Sequence, residues 1–181
     1  MTPAPVAAPV APPIRSTRIL VGALSGSLVV FGIVLYSALP GGDQPPVWVP
    51  FALGGLAVVS HLLCRTVGFN LEPVPAGTLP AEAMATALVA FQASLVLRFA
   101  LAESVALFAV FFSFVVTPQT WLTYLIGGLL ALVLIAINVW PRKALISKVQ
   151  QQLDREGGQS YLADALLGLA PGTAASAVIH T

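Results

Sequence analysis

The chain has 181 residues, 57% of them hydrophobic and 8% charged, against roughly 25% charged in an ordinary soluble domain. Its 8 Lys and Arg against 7 Asp and Glu leave a formal net charge of +1, so there is no single-signed field of the kind that holds nucleic acid. The one cysteine, Cys64, and the two histidines, His61 and His180, supply neither an internal disulfide nor a structural zinc set.

Met1 to Pro13 is an Ala/Pro/Val tract without charge, and residues 1–16 are expected to form a disordered or extended tail. Crossing some 30 Å of hydrocarbon takes about 20 mainly apolar residues, and only a helix satisfies its own backbone there. Four segments meet that requirement. The first covers about 19–39 and closes at Pro40-Gly41-Gly42-Asp43; the second covers about 47–64 and stops at Arg65. The first is longer than the roughly 7 to 15 apolar residues of a signal-peptide core, so it reads as a retained span. It carries Gly22-x-x-x-Gly26, a spacing that lets helices approach closely and reads here as internal packing rather than dimerisation.

Residues 67–80 hold Pro73, Pro75 and Pro80 with Gly68 and Gly77, which mark a loop. Pro80 suits a first helical turn, and Glu82 opposes the positive end of the helix that follows. The third apolar segment, about 83–116, contains Arg98 and Glu103. A continuous helix from Glu82 to Val116 is on the order of 50 Å long, so about one third of it must lie outside the hydrocarbon. The fourth span, about 120–140, ends at Pro141-Arg142-Lys143, a helix stop joined to a basic anchor. Beyond it, Leu145, Ile146, Val149 and Leu153 form an apolar stripe at helical spacing, which rests on the inner leaflet or the protein's own loops, or else docks a partner. Gly157-Gly158 ends that helix, and a second short one is expected over 161–169.

These elements give an all-α fold: a four-span transmembrane bundle over 17–141, with an amphipathic helix and tail over 142–181. Arg15, Arg18, Arg65, Arg142, Lys143 and Lys148 all fall on one side, so both termini are expected in the cytoplasm and the protein in the plasma membrane. Trp48, Trp121 and Trp140 fall at the expected interfaces as anchors.

An ionisable residue at the centre of a span costs about 2.5 to 3.5 kcal/mol on insertion scales, so each needs a reason to be there. His61, Arg98 and Glu103 are the candidates, and Asn138 near the end of span four is within reach of them. Arg98 is expected to snorkel to the headgroups. Glu103 and His61 then lie at similar depth on antiparallel spans, and with Asn138 they make a candidate polar cluster. Arg98 and Glu103 are five residues apart and diverge by about 140° around the helix, so they do not pair with each other. Glu103 is either packing glue between helices or a carboxyl that takes up and releases a proton or cation.

The stretch Pro80-Ala81-Glu82-Ala83, followed by Leu97-Arg98-Phe99-Ala100-Leu101-Ala102-Glu103-Ser104-Val105-Ala106-Leu107-Phe108, resembles the second helix of the rotary ATP synthase subunit c. Glu103 matches that helix's membrane carboxylate, and both helices run outward from a cytoplasmic loop. Span two has only Gly54-Gly55 where the subunit c hairpin has repeated glycines, and it carries Trp48, Pro50 and His61. The resemblance therefore implies a carboxylate helix of the same local chemistry, not a rotor subunit. The chain as a whole resembles small bacterial integral membrane proteins.

No phosphate loop, cofactor fingerprint, HExxH or Ser/His/acid set is present. The reading is a non-enzymatic accessory or structural membrane component without a cofactor, whose partners are the lipid bilayer and other membrane-protein subunits. The rival is a proton- or cation-handling protein centred on Glu103. Cys64 is read as a buried, inert thiol rather than a palmitoylation site.

Overall fold

In a computed structural model the described residues, 13–41 and 43–172, form helices and connecting loops without a strand. In chain order the helices are α1 (Pro13–Ala38), α2 (Trp48–Thr66), α3 (Pro80–Val115), α4 (Trp121–Asn138), α5 (Lys143–Leu153) and α6 (Leu162–Leu167). The first four are long and apolar enough to cross a membrane.

Local chemistry sets most of the helix ends. Pro13 opens α1 with its φ preset, and the hydroxyls of Ser16 and Thr17 donate to the Pro13 carbonyl at 2.8 and 2.9 Å. Helix therefore begins inside the segment expected to be a disordered tail; residues 1–12 and 173–181 lie outside the described residues, and the tail expectations with them. Leu79 is extended, as a residue before proline must be, and Pro80 starts α3 with Glu82 in its first turn. The Thr120 hydroxyl caps α4 by accepting from the Leu122 N–H. Gly168, at φ 69°, closes α6 in the left-handed region where glycine carries no side-chain penalty.

The bundle is lopsided. Helices α2, α3 and α4 pack on one another, with α3 against α4 the largest contact, whereas α1 rests on α4 and α6. Gly127 is what lets α3 and α4 meet, since a Cβ there would lie 2.2 Å from the Ala109 Cβ and 3.2 Å from the Val105 carbonyl oxygen. Tyr124 ties α4 to α1 by donating its hydroxyl to the Leu28 carbonyl at 2.6 Å, and Tyr36 meets Trp121 edge to face at the same end. Gly22 and Gly26, by contrast, face outward with nothing within 4 Å of a Cβ built on either. The expectation of internal packing there is corrected: the GxxxG spacing marks a face on which backbones can approach, and in this chain α4 covers the other side of α1.

Helix α3 runs unbroken for 36 residues, about 54 Å at 1.5 Å per residue, twice the reach of the 18-residue α4 beside it. Gly127 lies level with Val105 and Ala109, so the antiparallel course of the two helices brings the end of α4 to Arg98. The first half of α3, Pro80 to Leu97, extends beyond the ends of α2 and α4. There it meets α5 and α6, and α6 also touches α1. The apolar stripe of α5 is turned inward, with Val149 and Leu153 fully buried, so its partner is the protein itself.

The loop before α3 is fastened to this cap. The Val74 N–H donates to the Leu153 carbonyl at 2.8 Å, and the Gly158 backbone lies so close that a Cβ would stand 2.0 Å from the Val74 carbonyl oxygen. Because the obstacle is backbone, Gly158→Ala is expected to lift the loop at a cost of about 1 to 3 kcal/mol. Limited proteolysis should show it as faster cleavage between residues 153 and 162, with the helix signal of the spans unchanged.

Candidate functional site

The most unusual side chain in the bundle is Arg98, which is 0% exposed and the largest fully buried side chain among the described residues. It does not snorkel, and the expectation that it reaches the headgroups is corrected. Three elements enclose it. Its Nε–H donates to the Ser94 carbonyl one turn back at 3.0 Å, and its Nη1 donates to the Asn138 carbonyl at the end of α4, also at 3.0 Å. From the α2 side, the Cys64 thiol donates to the Arg98 carbonyl at 3.6 Å. Gly68 abuts the arginine stem so closely that a Cβ would fall 2.5 Å from its Cγ. The guanidinium also stands over the Phe69 ring, 4.4 Å from its centre.

The physical reason an arginine is tolerated here lies in the helix ends. The last carbonyls of a helix have no partner within it, and together with the macrodipole they amount to about half a negative charge. Both α2 and α4 end against Arg98, α4 through the Asn138 carbonyl and α2 through the Cys64 to Gly68 turn, whose final carbonyl accepts the Ser94 hydroxyl. Two partial negative poles and an aromatic face thus do the work usually left to a carboxylate. Nη2 remains buried without a hydrogen-bond partner among the described residues.

Asn138 links this arginine to His61. Its side-chain nitrogen lies 3.1 Å from His61 Nδ1 and also donates to the Leu134 carbonyl at 3.1 Å. The structure therefore brings His61, Asn138 and Arg98 into one network spanning three helices. It does not bring in Glu103. That carboxylate is half-buried, and among the described residues it has no hydrogen-bond or ion-pair partner. The five-residue offset from Arg98 turns it off the cluster, as the 140° divergence requires.

Beside the network a cavity of about 460 Å³ opens between the end of α2, the end of α4 and the start of α5. His61 and Asn138 form its floor together with Phe69, and Arg65, Arg142 and Lys148 rim it. The Lys148 ammonium sits 4.0 Å from the Phe69 ring centre. Burial, then Arg65, then Arg98 hold its amine below the usual lysine range. A second cavity of about 330 Å³, between α1 and α4 at the opposite end, is walled by apolar and aromatic side chains such as Leu28, Tyr36, Trp121 and Leu129.

Sequence reasoning missed Phe69, Gly68, Ser94 and Lys148 as members of the network. Ser94 was within reach of it, since it precedes Arg98 by one helical turn. Nothing local in the loop marks Gly68 or Phe69. Among the described residues no group of His, Cys, Asp and Glu is placed to hold a metal ion. No family model, curated protein or solved structure matches the chain.

Proposed function

We propose that the chain is a multi-pass integral membrane protein of the plasma membrane, with both termini cytoplasmic, that serves as a non-enzymatic accessory or structural component of the membrane or of a membrane complex. The observation that supports this most is the use to which the polar groups within the spans are put. Arg98 donates to the Asn138 carbonyl at the end of α4, Ser94 to the Gly68 carbonyl in the turn after α2, and Asn138 meets the His61 ring of α2, so they act as joints between helices. The same joint fixes a rigid helical cap to the bundle at the basic end, where the positive-inside rule places the cytoplasm.

A second reading rests on Glu103. A half-buried carboxyl without a partner, on a helix resembling the carboxylate helix of ATP synthase subunit c, has the chemistry to carry a proton or cation. Glu103→Gln separates the two. The accessory reading predicts that the variant inserts and accumulates at the parent level, and that a hydrophobic carbodiimide leaves the parent unlabelled near neutral pH. Labelling of Glu103 that alkaline pH suppresses, with proton flux lost in vesicles reconstituted with the variant, would replace the accessory reading with the ion-handling one.

A further inference from the structure

The cavity at the basic end is cationic, and among the described residues no acidic side chain lines it; the Arg142 guanidinium meets only the Ala136 carbonyl. Arg65, Arg142 and Lys148 converge on its rim. Among the described residues no ion pair involves any of the three. Like charges held together are unfavourable unless an anion joins them. Burial first, then Arg65 and Arg98, hold the Lys148 amine below the usual lysine range. The first turn of α5 has no side-chain cap, and Ala144 of that turn lines the cavity.

The position of the cavity decides which anion fits. It lies where the apolar stretches of α2 and α4 end, at the level where the phosphates of a bilayer leaflet meet the hydrocarbon. Its lining is mixed in the same sense: cations at the rim, then Phe69 and Leu145, then Ile137, which is half exposed on the outer face of α4. A free phosphate would use the cations and leave the apolar wall wet. A lipid would use both, placing its headgroup phosphate among Arg65, Arg142 and Lys148 and the start of its acyl chains along Ile137.

We propose that this cavity is a binding site for the phosphate headgroup of an anionic phospholipid, drawn from the leaflet that faces the basic end. The site differs from a general attraction of basic residues to an anionic surface, because three cations, the first turn of a helix and an apolar exit line one cavity. The proposal rests on the membrane reading, which alkaline carbonate extraction of native membranes tests separately.

The test uses the full chain purified in a zwitterionic detergent, with circular dichroism verifying that each variant keeps its helix content. The probes are phosphatidylglycerol, phosphatidylcholine and inorganic phosphate, with retention read by native mass spectrometry and stabilisation by thermal unfolding. Phosphatidylglycerol is expected to be retained and to raise the melting temperature, and the effect should weaken as salt rises. The double variant Arg65→Gln/Lys148→Gln, both at solvent-reachable positions, should weaken retention at least tenfold. Arg15→Gln/Arg18→Gln, which removes two charges from the start of α1, should leave retention unchanged. Equal retention of phosphatidylcholine would overturn the proposal, as would an equal loss in the α1 variant, which would reduce the effect to general surface charge. Saturation of the site by inorganic phosphate at the same concentration would overturn the lipid as the occupant.

Discussion

Replacing Arg98 by alanine is expected to destabilise the folded protein by about 3 to 5 kcal/mol, through two losses that add. A large buried side chain is truncated at the junction of α2, α3 and α4, and large-to-small changes in packed interiors cost about 2 to 5 kcal/mol. The buried Asn138 carbonyl also loses its donor, which costs about 1 to 3 kcal/mol. Part of this is returned because the guanidinium no longer has to be desolvated. Arg98→Met separates the terms, since it refills most of the volume without supplying a donor. Its stability should fall between the two, about 1 to 2 kcal/mol below the parent. Reversible unfolding in mixed detergent micelles, followed by the helix signal, measures the order parent, Met, Ala. An alanine variant as stable as the parent would show that Arg98 does not join the helices.

The second large effect is expected at Gly127. Its Cα lies against α3 so closely that even one methyl group would overlap the Ala109 Cβ, and both atoms sit on helix backbones that cannot swing aside. Gly127→Val must push α3 and α4 apart along their largest contact. Overpacking of this kind costs about 1 to 3 kcal/mol and more where the neighbours are rigid. The milder pair Gly127→Ala and Ala109→Gly supplies the control. Each single variant should be less stable than the parent, the first by a clash and the second by a small void. The double variant should recover most of the loss, because the methyl group has only changed sides. Simple additivity of the two single effects would mean that the residues are not in contact.

Much of this was legible in the sequence because hydropathy and helix stops are local properties. The four apolar runs, the excess length of α3 and the stripe of α5 follow from spacing and from Pro40, Pro80 and Pro141. The helix starts earlier than hydropathy alone suggests at α1, since Pro13 and the two hydroxyls behind it can begin a helix in polar surroundings. The site was legible only in part. Depth counting paired His61 with Glu103 and added Asn138 to them; of these only His61 and Asn138 meet, and the same counting set Arg98 at the membrane surface when it is enclosed. The enclosure depends on two helix ends meeting on one side chain, and no single segment carries that information. The same limit explains Gly22 and Gly26: spacing shows that a face can be packed closely, whereas only the placement of α1 on α4 shows which face is used.

The central claim is that one continuous helix, α3, is divided at Arg98 into a half inside the membrane and a half inside the cap. Single cysteines in a Cys64→Ser background test it directly, at Val89 and Phe108, both exposed on the surface of α3 and separated by 19 positions, about 28 Å along the axis. In inverted membrane vesicles a water-soluble maleimide should modify the cysteine at 89 and leave the one at 108 unreacted until detergent is added. Equal reactivity at the two positions, or protection of both, would contradict the division of α3 and the placement of the cap outside the bilayer.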